Sequence, residues 1–114
     1  MPAAHSFDYA VVRIVPRVER EEFVNAGVIV FCLERGVLAA RVELDRARVL
    51  ALFPDADLPL IEEHLTALPR IAAGGDGAGP IGKLSLRERW HWLVAPRSTV
   101  IQVSPVHSGL SSAS

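Results

Sequence analysis

Three segments in the first half of the chain have the apolar patterns of β-strands. Residues 7–16 carry apolar side chains at both odd and even positions, which predicts a strand in the centre of a sheet. Residues 24–33 form a second apolar, β-branched run, and a turn ending at Gly36 leads to a third strand at 37–44. In the third strand apolar residues alternate with charged ones, so we expect one face of the sheet to contact water.

The middle of the chain has the periodicity and the capping residues of helices. Asp45 is placed to cap a short helix at 46–53, and a second helix with an apolar stripe is predicted to begin near Asp57. We expect Pro69 to end or kink the second helix, because proline lacks the N–H that a helix interior uses. Residues 74–82 are rich in glycine and are predicted to be a flexible linker.

The last third of the chain predicts a helix, a strand and a frayed tail. Ser85 and Glu88 have the spacing of a capping box, which opens a helix that Pro96 stops. Residues 99–104 are predicted to form the last strand. The polar tail at 107–114 is expected to fray.

This order of elements, strands followed by helices, predicts the α+β class. We expect one domain, 1–114, with a small antiparallel or mixed sheet of about four strands and two to three helices on one face. Half of the residues are hydrophobic and 22% are charged, which is enough apolar material for a core. The net charge of −1 excludes a global field that attracts nucleic acid or an anionic membrane.

Several features predict a cytoplasmic protein. Cys32 is the single cysteine, so no internal disulfide can form, which fits a reducing compartment. The first residues have neither the basic nor the apolar region of a signal peptide. The longest apolar run is about ten residues, whereas a membrane-spanning helix needs roughly 20.

The sequence has no convincing catalytic, metal or cofactor motif. Two glycines followed by Lys83 match the spacing of a phosphate-binding loop, but Leu84 stands where that loop needs Ser or Thr for magnesium. The four histidines are not spaced for a zinc site, and Cys32 has no cysteine nearby. We therefore predict no catalytic residue, no metal and no cofactor.

Polar residues within the apolar strands are the strongest candidates for a site. Arg13 lies in the first strand, Asn25 opens the second, and Gln102 lies in the last. If the first and last strands are neighbours, Arg13 and Gln102 lie side by side, and Glu22 is available to pair with an arginine there. Because an unpaired buried polar group is costly, these residues either form a structural network or line a pocket for an anion, a peptide carboxylate or a phosphate.

A Trp-His-Trp sequence near several arginines suggests nucleic-acid binding as an alternative. Trp90 and Trp92 are about 200° apart on a helix, so they cannot form one stacking platform, and we assign Trp90 to the core. The basic residues of this alternative are Arg17, Arg20, Arg87, Arg89 and Arg97.

Two segments resemble DUF3037, a bacterial family of domains of unknown function. The first runs from Tyr9 to Phe31 and contains Arg-Glu-Glu-Phe-Val-Asn-x-Gly, and the second runs from His91 to Leu110. The resemblance implies no catalytic role, and it implies a protein partner such as a HipA-like kinase in a setting like that of toxin–antitoxin systems. The polar pattern that it implies for binding a ligand or partner consists of Arg13, Glu22, Asn25, Arg97, Gln102 and His107.

Similar proteins continue beyond the second segment into an Asp-Pro and a final helix, which this sequence does not show. Either the end of the chain is trimmed or the chain lacks that helix. In the second case we expect one apolar sheet or helix face to be uncovered, which favours a homodimer or another partner.

Three functional hypotheses follow. The first is a non-enzymatic accessory or protein-interaction module that uses the polar residues above. The second is a nucleic-acid or nucleotide-binding protein that uses the basic residues, and the third is a small enzyme that acts on an anionic substrate through Arg13, Glu22 and His107.

Overall fold

One antiparallel sheet runs through the protein, and helices pack on one of its faces. The computed structural model describes residues 5–15, 22–96 and 100–111. In chain order the elements are β1 (His5–Ile14), β2 (Val24–Cys32), β3 (Val37–Val42), α1 (Arg46–Leu52), α2 (Leu58–Ala73), a 3₁₀ segment (Asp76–Lys83), α3 (Leu86–Val94), β4 (Ile101–Val103) and β5 (His107–Ser111).

The central strand is β1, as its two apolar faces predict. It pairs with β2 along one edge, and β3 continues the sheet beyond β2. Along its other edge β1 pairs first with β5 and then with β4. The sheet is therefore four strands wide, which confirms the predicted size, and all of its pairings are antiparallel.

The core lies between the sheet and the helices. Ala10, Val12 and Ile14 of β1 are fully buried on the face that the helices cover. The apolar stripe of α2 and the α3 residues Trp90 and Leu93 pack against them in one cluster. The ring of Trp90 stacks on the ring of Phe31 with centroids 5.3 Å apart, which joins α3 to β2. The α+β prediction with helices on one face is confirmed.

The predicted helix caps are present. The Asp45 side chain accepts a hydrogen bond from the Arg48 N–H at the start of α1 (3.1 Å). Ser85 and Glu88 form both hydrogen bonds of the predicted capping box at the start of α3. The Asp57 side chain also caps α2, a cap that was not predicted from the sequence. Each cap satisfies backbone N–H groups that have no partner inside the helix.

Helix α2 does not end at Pro69, so that part of the prediction is wrong. Helix α2 continues to Ala73 and ends at Gly74, whose φ of 75° suits glycine. Proline removes one hydrogen bond from the helix interior. The buried residues Leu68, Ile71 and Ala72 lie on either side of it, and their packing in the core keeps this last turn helical.

The glycine-rich segment predicted to be a flexible linker instead forms 3₁₀ turns at Asp76–Lys83, interrupted at Gly79. The Gly75 N–H donates to the Gly82 carbonyl (3.0 Å), which closes the segment on itself. Ala78 and Ile81 pack against the core. The predicted linker is wrong because amino-acid composition alone does not show that Ala78 and Ile81 contact the core.

Most of the tail at 107–114 that was predicted to fray is a β-strand. Residues His107–Ser111 form β5, which pairs with His5–Tyr9 at the start of β1. Strand β1 begins two residues earlier than predicted, and its backbone offers the edge that β5 completes. Because this pairing uses backbone groups, it does not need the apolar side chains that sequence patterns detect. Residues 112–114 lie outside the described residues.

Candidate binding site on the exposed sheet face

The sheet face opposite the helices, here called the outer face, carries a set of half-buried and exposed apolar side chains. Strand alternation places these residues away from the core, and none belongs to the buried cluster. They are Phe7, Tyr9, Val11, Val28, Val30, Val37 and Ala39. In the part of the chain that the structure describes, no helix contributes a buried residue to this face.

Three polar residues cross the outer face from strand to strand. Arg13 of β1 lies opposite Asn25 of β2 on one side and opposite Gln102 of β4 on the other. We call Asn25, Arg13 and Gln102 the polar row. Directly opposed side chains in antiparallel strands have Cβ atoms about 4.5–5.5 Å apart, so the three can interact. The predicted neighbourhood of Arg13 and Gln102 is confirmed by this register.

A β-bulge brings Asn25 to the outer face. Val12 lies opposite Gly27 but Arg13 lies opposite Asn25, so β2 holds one extra residue, Ala26, at this point. Simple alternation from buried Ile29 would place Asn25 on the core face. The extra residue shifts the alternation, so Ala26 is buried while Asn25 is exposed.

Contacts with β3 secure the bulge. The Ala26 carbonyl accepts a hydrogen bond from the Glu43 N–H (2.8 Å). At the next residue, a Cβ on Gly27 would lie 2.2 Å from the Arg41 carbonyl oxygen, so the close approach of β2 and β3 requires glycine. The bulge therefore depends on the Ala-Gly pair that follows Asn25.

Phe23 holds the guanidinium of Arg13. The Cζ atom of Arg13 lies 4.3 Å from the centroid of the Phe23 ring, which is a cation–π contact. Arg13 Nε is buried and donates no hydrogen bond to any residue of the described ranges, an arrangement that costs about 1–3 kcal/mol. Sequence reasoning missed Phe23 as a site residue, although it stands two residues before Asn25, the spacing of side chains on one face of a strand.

The remaining predicted site residues do not join the polar row. Glu22 is exposed, and no ion pair links it to Arg13 among residues 5–15, 22–96 and 100–111. His107 stacks on Tyr9 with ring centroids 5.3 Å apart. Tyr9 and Arg13 are separated along β1 by about 13 Å at ~3.3 Å per residue, so Arg13 and His107 do not converge on one pocket. Arg97 lies outside the described residues.

This separation bears on the enzyme hypothesis, which needs Arg13, Glu22 and His107 within reach of one substrate. His107 instead belongs to an aromatic group with Tyr9 and Phe7, whose rings have centroids 6.1 Å apart. The geometry does not support the enzyme hypothesis through these three residues.

The nucleic-acid hypothesis loses one of its arginines to the fold. Arg89 Nη1 donates to the Leu84 carbonyl (2.7 Å), and Nη2 lies 3.5 Å from the Ala72 carbonyl, so this side chain ties α2 to α3. Trp90 is 4% exposed, which confirms its predicted place in the core, whereas Trp92 is 37% exposed. Arg17, Arg20 and Arg97 lie outside the described residues, and Arg87 is exposed.

Among the described residues, clefts lie beside the sheet at two places. The larger, of about 820 Å³, runs along the bulge and the first turn of α1. Two of its charged groups have structural roles: Asp45 caps α1, and Arg46 forms an ion pair with Glu62 (2.5 Å). The smaller, of about 380 Å³, lies between β1 and α3, where Asp8 accepts a hydrogen bond from Ser108 (2.7 Å).

The architecture defines a small α+β protein with an open antiparallel sheet, and the helices of the described residues pack on one face of that sheet. The chain belongs to DUF3037, a family described as a protein of unknown function, whose sequence profile matches residues 9–114. No curated protein and no solved structure has significant similarity to it. None of the described helices combines the length and the apolar character needed to cross a bilayer.

Proposed function

We propose that this chain is a non-enzymatic interaction module of the bacterial cytoplasm and that its outer face binds a protein partner. The outer face is the observation that carries the proposal. Exposed apolar patches rimmed by polar residues are typical of interaction sites. Phe23 and Val37, on opposite sides of this face, are 43% and 41% exposed.

The composition of the face suits protein recognition. Aromatic residues and arginine are enriched in the energetically important parts of protein interfaces. Here Phe23 and Arg13 are already in contact, so binding would not have to order this pair. The family resemblance directs the first search to a HipA-like kinase, and a second copy of the chain is the other occupant to test.

The experiment is capture of partners from bacterial cytosol with three tagged forms of the protein, followed by mass spectrometry. The forms are the wild type, the double variant Arg13→Ala/Gln102→Ala, and Arg70→Ala, which removes an exposed arginine from α2. Circular dichroism verifies that all three are folded, and light scattering reports a homodimer.

We expect one enriched protein with the wild type and Arg70→Ala that is lost with the double variant. Capture of the same proteins by all three forms, with no change in oligomeric state, would show that the polar row has no part in binding and would overturn the proposal.

A further inference from the structure

We infer that the polar row is a carboxylate-binding site, an inference that rests on the proposed function and names the group recognised. In this arrangement the Arg13 guanidinium binds the side-chain carboxylate of one Asp or Glu of the partner. Asn25 and Gln102, on either side of Arg13, donate hydrogen bonds from their amide NH₂ groups.

Arg13 has the features of a prepared anion receptor. Its guanidinium is held over the Phe23 ring, and Nε is buried, so the ligand meets the two terminal Nη atoms. Two parallel N–H donors match the two oxygens of a carboxylate. No carboxylate of the described ranges lies within ion-pair distance of Arg13.

The charge of the row favours a carboxylate over a phosphate. The row offers one cation between two neutral amides, which matches the single charge of a carboxylate. A phosphate monoester carries about −1.5 to −2 charges and is typically bound by clusters of arginines. Among the described residues Arg41 also lies on the outer face, but it is two strands away and aligned with Val11, so its Cα lies about 12 Å from that of Arg13 at the usual strand and residue spacings.

The backbone around the row favours a side-chain carboxylate over a chain terminus. Terminal carboxylates are usually captured by unpaired backbone N–H groups. At Arg13, β1 is paired with β2 on one side and with β4 on the other, so the sheet uses its backbone groups in both ladders. Val11 and Val28 lie next to the row on the same face, where apolar neighbours of the bound Asp or Glu can pack.

The test is an NMR titration of the ¹⁵N-labelled protein, followed at the Arg13 Nε–H and at the Asn25 and Gln102 side-chain amides. The probe is N-acetylglutamate amide, and N-acetylglutamine amide is the matched neutral control. N-acetylphosphoserine amide and N-acetylalanine represent a phosphate and a terminal carboxylate.

Three variants make the test specific. Asn25→Asp places a carboxylate directly opposite Arg13, at an exposed position where folding is not at risk. This carboxylate can pair with the guanidinium and so compete with the probe. Asn25→Ser removes the amide without adding charge. Arg13→Gln removes the cation itself.

We expect saturable shifts at the row with the glutamate probe and at least tenfold weaker binding of the glutamine probe. Asn25→Asp and Arg13→Gln should weaken glutamate binding by tenfold or more, and Asn25→Ser by less. Equal binding of the two amides, an unaffected Asn25→Asp variant, or tighter binding of the phosphoserine or alanine probe would overturn the inference.

Failure here is distinguishable from failure of the proposed function. If the probe does not bind but partner capture still depends on Arg13 and Gln102, the carboxylate inference is wrong and the interaction module stands. If capture is independent of the outer face, the proposed function is wrong whatever the probe does.

Discussion

Asn25 lies opposite Arg13 because β2 contains one residue more than β1 at this point. The same bulge buries Ala26 and places Gly27 against the backbone of β3. Bulges are common where a strand has to redirect a side chain, and here the redirected side chain joins the polar row. The placement of the polar row and the packing of β2 on β3 therefore both depend on Ala26 and Gly27.

The bulge predicts the effect of Gly27→Ala. The new Cβ would meet the Arg41 carbonyl at 2.2 Å, and backbone on both sides leaves little room to relax. We expect a loss of about 1–3 kcal/mol in the free energy of unfolding, measured by urea denaturation. Gly77→Ala is the matched control, because nothing lies within 4 Å of its added Cβ. Equal urea midpoints for the two variants would contradict the close approach.

The stack of Phe31 and Trp90 predicts which tryptophan stabilises the fold. Trp90 is buried against the sheet, so Trp90→Ala should lower the free energy of unfolding by about 3–5 kcal/mol. Trp92→Ala, on the partly exposed side of α3, should cost clearly less. Urea denaturation followed by circular dichroism measures both variants without relying on tryptophan fluorescence. A larger loss for Trp92→Ala would show that the core assignment is wrong.

The capping box of α3 predicts a pH dependence. Hydrogen bonds from the Ser85 hydroxyl and from the Ser85 backbone N–H hold the pKa of the Glu88 carboxyl below its ordinary value. A lowered folded-state pKa adds stability that is present above the unfolded-state pKa and is lost as the pH falls through the folded-state pKa.

Ser85→Ala should therefore raise the pKa of Glu88 toward its ordinary value and reduce the acid-dependent part of the stability. Loss of the cap should also cost about 1 kcal/mol near neutral pH. An NMR titration of the Glu88 side chain and urea denaturation at two pH values measure these effects. Thr66→Ala, at an exposed hydroxyl inside α2, is the control and should leave the Glu88 pKa unchanged. An unchanged Glu88 pKa in Ser85→Ala would rule out the Ser85 hydroxyl as its main cause.

The contacts of Arg89 predict a structural role for this arginine. Arg89→Met removes the charge-assisted bond to the Leu84 carbonyl and should lower the free energy of unfolding by about 1.5–3 kcal/mol. Arg87→Met, on the exposed side of the same helix, should change it by no more than about 0.5 kcal/mol. Thermal and urea denaturation compare the two. Matching stabilities would mean that the link between α2 and α3 contributes nothing.

Local signals predicted the elements well. The alternation in β3, the aspartate before α1 and the Ser85–Glu88 pair are signals between residues close together in the chain, so the sequence alone shows them. The central position of β1 also followed from its sequence, because apolar residues on both faces are typical of a strand with a neighbour on each edge, although the described helices cover only one of these faces.

Non-local effects account for the failures. Helix α2 passes Pro69 because residues beyond it are buried in the core, and β5 forms because the start of β1 offers a free edge. The glycine-rich segment folds because Ala78 and Ile81 reach that core. In each case a distant part of the chain supplies the stabilising contact, and a local pattern cannot register it.

The candidate site divides in the same way. The sequence by itself determined that Arg13, Asn25 and Gln102 are polar residues in apolar strands, since residue type and alternation are local properties. Only the tertiary structure decided that they form one row, that Phe23 holds Arg13, and that His107 lies with Tyr9 instead. Strand register and the bulge at Ala26 set these distances, and both depend on pairing between segments far apart in the chain.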